Sequence, residues 1–218
     1  MAGEKIQANV LSTRILPNAD RAFLKAIGAK TDGSERSLGF FTCDSDDVAY
    51  SAIDEATKKA RVRVLYAKSM YAGAGNASTA LAGEFFGVLA GDSPDEVRSG
   101  LDAVIAYVAQ DAAFYSANDE GSICYFAHCI PSTGTYLSQV AGIRPGEALA
   151  YLIAPPLEAM AGMDAALKAA NVNLCVLWGP PSETNFGGGL LTGDQAACRA
   201  ACDAFAEMVK EIARVPLG

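Results

Sequence analysis

Asp54-Glu55-Ala56-Thr57-Lys58-Lys59-Ala60-Arg61-Val62 recurs as Asp164-Ala165-Ala166-Leu167-Lys168-Ala169-Ala170-Asn171-Val172, each matched pair lying 110 residues apart. Further on, Leu89-Ala90-Gly91-Asp92 returns as Leu191-Thr192-Gly193-Asp194, and Leu101-Asp102-Ala103 as Cys202-Asp203-Ala204. Thr13-Arg14-Ile15-Leu16-Pro17 has a fainter echo in Ala127-His128-Cys129-Ile130-Pro131. A repeat at this spacing marks a duplicated domain, because a unit of about 100 residues buries its own core and needs no stacked neighbours. The 218 residues therefore divide into two domains, 1–112 and 113–218, at the point where a helical pattern gives way to Ser116-Ala117-Asn118-Asp119-Glu120-Gly121.

Each half reads as strand, short helix, strand, long helix, strand, strand, long helix. In the first, strands are expected over Asn9–Leu16, Ser37–Cys43, Arg61–Lys68 and Glu84–Ala90. Asp20 caps a short helix that Gly28 ends. Asp44–Ala60 carries Val48, Ala52, Ile53, Ala56 and Ala60 on one helical face. Ser93-Pro94-Asp95-Glu96 has the spacing of a capping box with proline at the first helical position, opening a helix with Val97, Leu101, Val104, Ile105 and Val108 inward. In the second half, strands are expected over Ile123–Ile130, Ala148–Ile153, Val172–Leu177 and Gly188–Leu191. Helices are expected over Leu157–Ala170 and Gln195–Ala213, the latter turning Ala197, Ala201, Phe205, Met208 and Ile212 inward. Helices alternating with strand pairs, four strands to a half, predict an α+β fold: two tandem ferredoxin-like domains, each an antiparallel sheet with helices.

Apolar residues make up 51% of the chain and charged ones 19%, ample for two cores and unlike a disordered chain. A net charge of −8 disfavours nucleic acid, whose phosphates it would repel. No apolar run reaches the length that spans a bilayer, and Met1–Gln7 lacks the apolar core of a signal peptide, so a cytoplasmic location is expected. The six cysteines mostly fall within apolar strand or helix patterns and read as buried, reduced side chains. Cys198 and Cys202 share a helical face, but with a single histidine and no second nearby pair they are expected to pack and not to bind metal. His128, beside Cys129 in a strand, forms no Ser-His-Asp or Cys-His set and is expected to be structural. The glycine-bearing loops Tyr71–Thr79 and Pro180–Gly189 match neither the phosphate-binding P-loop spacing nor the dinucleotide fingerprint.

The two halves differ where a site would stand out. Asp44-Ser45-Asp46-Asp47 meets Ala154-Pro155-Pro156-Leu157, and Glu84 meets Phe186. Proline starts a helix as well as an acid does, so folding does not require these carboxylates. Capping and the helix dipole account for one or two of them, at roughly 0.5–2 kcal/mol.

Glu158-Ala159-Met160 and Gly162-Met163-Asp164-Ala165-Ala166-Leu167-Lys168-Ala169-Ala170-Asn171-Val172, followed by Gly188-Gly189-Leu190-Leu191-Thr192-Gly193-Asp194, resemble the signature of bacterial microcompartment (BMC) shell domains. Leu16-Pro17 and Ile130-Pro131 open each half where that family usually closes its domain, which resembles the tandem, circularly permuted variety. Asp44–Val48, Tyr71–Ala74, Ala150–Ala159 and Pro181–Asn185 are similar to shell proteins of ethanolamine-utilisation compartments.

The resemblance implies a homotrimer whose six lobes make a pseudohexameric tile, packed with other shell proteins around cobalamin-dependent ethanolamine ammonia-lyase and aldehyde-processing enzymes. It implies a structural, non-catalytic role without a cofactor or metal, and selective passage of small metabolites. Small pores between the lobes of each subunit would bind ethanolamine through Asp46, Asp47, Glu84 and Phe114, with Glu183, Thr184 and Asn185 approaching from the second lobe. Tyr71, Gly73, Gly75 and Asn76, together with Gly187, Gly188 and Gly189, would form loops that gate a central opening. Ethanolamine is a cation at neutral pH, so carboxylates suit it through charge-assisted hydrogen bonds and Phe114 through its ring face. The other classes left open are a small-molecule sensor and an enzyme using Asp46, Asp47 and Glu84 as metal ligands or acid/base groups.

Overall fold

The computed structural model describes residues 3–70, 79–182 and 184–217. In chain order the elements are β1 (Lys5–Ile6), β2 (Val10–Leu16), α1 (Arg21–Ala26), β3 (Ser37–Cys43), α2 (Asp46–Lys59), β4 (Val62–Ser69), β5 (Phe85–Gly91) and α3 (Pro94–Gln110). There follow β6 (Phe114–Ser116), β7 (Cys124–Ile130), α4 (Thr135–Ala141), β8 (Ala148–Ala154), α5 (Pro156–Ala169), β9 (Asn173–Trp178), β10 (Gly187–Gly193) and α6 (Gln195–Arg214). They form two compact units. The first comprises Ala8–Ala112 and Gly134–Leu137; the second gathers the segment ending at Gln7, Ala113–Thr133 and the chain from Ser138 onward. Relative to a division at residue 112, the two short segments 3–7 and 134–137 thus change sides.

In the first unit the sheet order is β2-β3-β5-β4, every pair antiparallel. α2 and α3 pack on one face. Close approach is possible because Gly39 stands where a Cβ would come within 2.5 Å of Val97 Cγ1, and Gly87 where it would strike the Phe41 ring. Phe41, Phe85, Leu89, Ile53 and Val104 are fully buried there, the main apolar gain of this unit. A smaller cluster of Leu24, Ala29, Leu38 and Ala90 involves α1.

The second unit repeats that order as β7-β8-β10-β9 and extends it at β7 with β6 and β1. Neither added strand stood out in the sequence, being two and three residues long. β1 pairs Lys5 with Tyr115 and Ile6 with Phe114, which carries the amino-terminal segment into this unit. α5 and α6 bury Ala159, Met163, Ala201 and Phe205 against the sheet, with Gly162 admitting the Phe205 ring.

Local expectations met three corrections. Ser93 Oγ accepts from Glu96 N at 3.3 Å, yet Glu96 does not reach back to complete the box; its carboxylate takes Arg61 N (2.7 Å) and Arg61 Nε (3.2 Å). A tertiary partner outcompetes the local one. Ile105 is exposed, because the inward stripe of α3 runs through Val97, Leu101, Val104 and Val108. On α6 the inward stripe is Cys198, Ala201, Cys202, Phe205 and Val209, rotated from Met208 and Ile212, which are only partly buried. Cysteines at 198 and 202 take core positions that a stripe read from alanines and large aliphatics passes over.

Candidate functional site

The acids singled out in the first half gather where β3 ends and α2 begins. Asp44 is the least available: its Oδ1 accepts from Asn9 N at 2.7 Å and its Oδ2 from Asn9 Nδ2 at 2.9 Å. Asp46 and Asp47 form the first turn of α2 and are only 7% and 5% exposed. Asp46 Oδ1 accepts from Asp47 N at 2.9 Å, the one local bond attributable to helix start. Ser45 occupies the N-cap position but its side chain caps nothing, and its buried Oγ has no hydrogen-bond partner among the described residues. Serine at that position usually accepts from the helix; here a buried oxygen is left unpaired beside the acids.

Glu84 arrives from the strand opposite. Gly83 precedes it with φ +64°, a conformation that glycine adopts freely, at a point where a Cβ would lie 2.2 Å from Cys43 O. Glu84 N then donates to Cys43 O at 2.9 Å, tying it to the end of β3. Tyr50, one turn into α2, has its hydroxyl 3.0 Å from Ser69 Oγ and accepts from Ser69 N at 3.0 Å. Burial pushes the Asp46 carboxyl above its ordinary range, against the opposing effect of a hydrogen bond from Ser69. Glu84 is pushed the same way by burial and then by the negative charges of Asp46 and Asp44. No lysine or arginine appears among the groups that set either shift. The helix dipole favours anions here, but burial prevails. The result is a group of buried and half-buried carboxylates, suited to a small cationic molecule. Among the described residues no cluster of three or more His, Cys, Asp or Glu could hold a metal ion.

The remaining expected residues lie on the second unit. Phe114, partly buried, opens β6 and packs against Phe126 and Phe186, ring centroids 5.3 and 6.2 Å away. Phe186 is the residue that matches Glu84 in the internal repeat, so an aromatic contact replaces an acid. Thr184 N donates to Ser182 Oγ at 3.4 Å and Asn185 N to Ser182 O at 3.1 Å, with Asn185 at φ +65° in a tight turn. Glu183 lies outside the described residues, as do Tyr71, Gly73, Gly75 and Asn76.

Gly187, Gly188 and Gly189, expected in a gating loop, are the first residues of strand β10, which agrees with the strand expected from Gly188. They pair with Ala154, Ile153 and Leu152. A Cβ on Gly188 would lie 1.9 Å from Leu152 O, and one on Gly189 2.2 Å from Val176 O. These glycines serve close strand contact, which explains them without a moving loop. His128 stacks on Phe126 at 5.5 Å within β7. Cys43, Cys198 and Cys202 are buried, and burial raises all three thiols, Cys43 and Cys198 to about 11. They behave as apolar core, and all six cysteines are free thiols. Among the described residues no helix is long and apolar enough to cross a membrane.

Sequence reasoning missed Ser45 and Tyr50. Ser45 sat inside the quoted acidic run, where only the carboxylates were singled out. It also missed Asp54, whose buried carboxylate accepts from Gly134 N (2.6 Å), Tyr136 N (3.1 Å) and Leu137 N (2.8 Å). The signal was present, since Asp54 opens the repeated segment.

Comparison with known proteins adds to this geometry. A BMC domain model matches residues 37–118. The chain is 58% identical over all 218 residues to the bacterial microcompartment shell protein EutL of Clostridium perfringens, covering both sequences fully. It is 49% identical over 212 residues to EutL of Escherichia coli, covering 97% of this chain and 96% of that one. The structure of the ethanolamine utilization protein EutL from Leptotrichia buccalis superposes with a TM-score of 0.95 at 60% identity, over the whole of both chains.

Proposed function

The chain belongs to the EutL family of bacterial microcompartment shell proteins, and on that premise we propose that it is a structural tile in the shell of an ethanolamine-utilising compartment, a trimer that binds and passes ethanolamine without transforming it. The tile sits in the cytoplasm among other shell proteins. Three chains of two equivalent lobes close a ring as six single domains would. What supports the tile is similarity running through both repeats at full length.

One observation carries the ethanolamine reading: burial raises the cost of ionising Asp46 and Glu84, and the negative charges of Asp46 and Asp44 raise that of Glu84 further. An ammonium group relieves that cost. Asp46, Asp47 and Glu84 are proposed to accept its charge-assisted hydrogen bonds, and the unpartnered Ser45 hydroxyl to bond the alcohol end. Phe114, Glu183, Thr184 and Asn185 are proposed as pore residues on the resemblance to the family. Two or three charge-assisted bonds at roughly 1.5–3 kcal/mol each, less ordering and desolvation, leave an affinity between about micromolar and millimolar. Weak binding suits passage, since a tight site would block its own path.

Calorimetric titration with three ligands of similar size tests this. Ethanolamine should bind, ethylamine should bind more weakly for want of the hydroxyl, and ethylene glycol should give no heat. Equal binding of ethylene glycol and ethanolamine would overturn the carboxylate reading.

A further inference from the structure

Two hydroxyl side chains accompany the acids of the first repeat and disappear with them in the second. At the 110-residue offset, Asp46 and Asp47 meet Pro156 and Leu157, Tyr50 meets Met160, and Ser69 meets Gly179. Strand pairing supports the last match. Phe86 pairs with Lys68, and its counterpart Gly188 pairs with Trp178, one position before Ser69 and Gly179. The fold itself needs no hydroxyl at either place, since methionine and glycine serve in the other copy.

Tyr50 follows Asp46 by one turn on the same face of α2. Its ring is fixed from two sides, edge-on to Phe85 at 4.9 Å and stacked on Tyr136 at 6.2 Å. The phenol oxygen accepts from Ser69 N at 3.0 Å and stands 3.0 Å from Ser69 Oγ. Ser69 closes β4 beside Glu84, where Met70 N donates to Glu84 O at 2.7 Å, and its hydroxyl bonds the Asp46 carboxylate. An ionised carboxylate only accepts, and a serine hydroxyl has one proton to give. With that proton given to Asp46, Ser69 Oγ must accept from the Tyr50 O–H. The bonds therefore run one way, from Ser69 N–H to Tyr50, from Tyr50 O–H to Ser69 Oγ, and from Ser69 O–H to Asp46, each polarising the next. Burial pushes the Tyr50 phenol above its ordinary range, so it stays a donor wherever carboxylates titrate.

We propose that Tyr50 and Ser69 are positioning residues for the ammonium site: through this one-way chain of hydrogen bonds they hold the Asp46 carboxylate in place as an acceptor for the ligand, without touching the ligand themselves. The inference rests on the ethanolamine reading and names what sets the pH dependence of that site. The titratable groups around Asp46 are Asp47 and Tyr50 on its own helix, Cys43 and Asp44 at the end of β3, and Glu84 leading into β5. Tyr136 backs the Tyr50 ring from residues 134–137. The acids among them repel a charge on Asp46, and burial opposes it further. The Ser69 bond works the other way, because it favours the charged form. Weakening that bond raises the pH at which Asp46 ionises and therefore the pH at which a cation binds.

Calorimetric titration of the full chain with ethanolamine from about pH 5 to about pH 8.5, a range in which the amine keeps its proton, provides the test. Wild-type affinity should rise with pH and then level off. Tyr50→Phe keeps the ring and both of its ring contacts. It should bind about 2- to 10-fold more weakly on the rising part and within about twofold on the plateau, its midpoint displaced upward by up to about one pH unit. Ser69→Ala should move the midpoint further in the same direction, and Ser69→Thr, which keeps the hydroxyl, should return the wild-type profile. Circular dichroism on each variant identifies any that misfolds; the two Ser69 variants decide the matter if Tyr50→Phe does, and Tyr50→Phe decides it if they do. A Tyr50→Phe profile that superimposes on the wild type, or that is weaker by the same factor at every pH, overturns the positioning role while the site stands. A wild-type chain that gives no heat with ethanolamine at any pH overturns the site and this role with it.

Discussion

Replacing Asp46 with asparagine separates a ligand-binding acid from a helix-starting one, because the two roles predict opposite changes. Asparagine keeps the shape and one carbonyl oxygen to accept from Asp47 N, and it starts helices as well as aspartate does. The charge and one acceptor oxygen are lost. In the free protein that charge is disfavoured, since burial holds the Asp46 carboxyl above its ordinary range. Asp46→Asn should therefore melt at the same temperature as the wild type or higher. Ethanolamine, by contrast, loses one charge-assisted bond worth about 1.5–3 kcal/mol, a weakening of about 10- to 150-fold in Kd. Calorimetry and thermal melting on the same preparation measure both. An affinity within twofold of wild type, or a melting curve showing a loss of about 1 kcal/mol as expected for a lost dipole interaction, would refute the assignment.

Other outcomes follow from the same geometry. Asp46 and Glu84 have folded-state pKa values raised above the ordinary 3.8 and 4.5, so the folded chain holds protons that the unfolded chain releases. Their contribution to stability is full below those ordinary values and is lost as pH rises through the raised ones; the stability gap between Asp46→Asn and wild type should widen over that rise, and a gap constant from pH 3 to 8 would contradict it. Ethanolamine binding, which needs ionised carboxylates, should strengthen across the same interval, and calorimetry showing affinity unchanged or falling with pH would count against the site. Asp54→Ala leaves the N–H groups of Gly134, Tyr136 and Leu137 unpaired and should cost about 2–4 kcal/mol by denaturant unfolding; a loss below about 1 kcal/mol would show that the clasp is dispensable. Gly188→Ala must displace Leu152 O from β8 and adopt a strained φ of +149°, so it should also lose about 2–4 kcal/mol by the same assay, whereas a near-neutral result would mean that the strand yields easily.

The duplicated segment made most of the fold legible, since strong local signals agreed with the global pattern at β3, α2, α3 and their counterparts. Asp20 and Ser93 cap the helices that their spacing announced. What escaped depended on distant partners. β1 and β6 owe their existence to each other and to β7, and two or three residues carry no periodicity. Glu96 looked like half of a local box but answers to Arg61, 35 residues away in sequence. Gly187–Gly189 read both as a loop and, from Gly188, as a strand, because glycine signals both turns and tight packing, and only strand neighbours such as Leu152 and Val176 distinguish them. At the candidate site, comparing the two copies found Asp46, Asp47 and Glu84 as asymmetric acids. It could not reveal that Ser45 Oγ stays unpaired, or that Asp44 is occupied by Asn9. Those facts depend on which tertiary partners arrive.

The most direct test of the tile itself is electron microscopy of the purified protein at assembly concentrations. The account predicts flat layers on a hexagonal lattice, each node built from three 22.6 kDa chains. A field of dispersed single chains under every condition that assembles other shell proteins would contradict it.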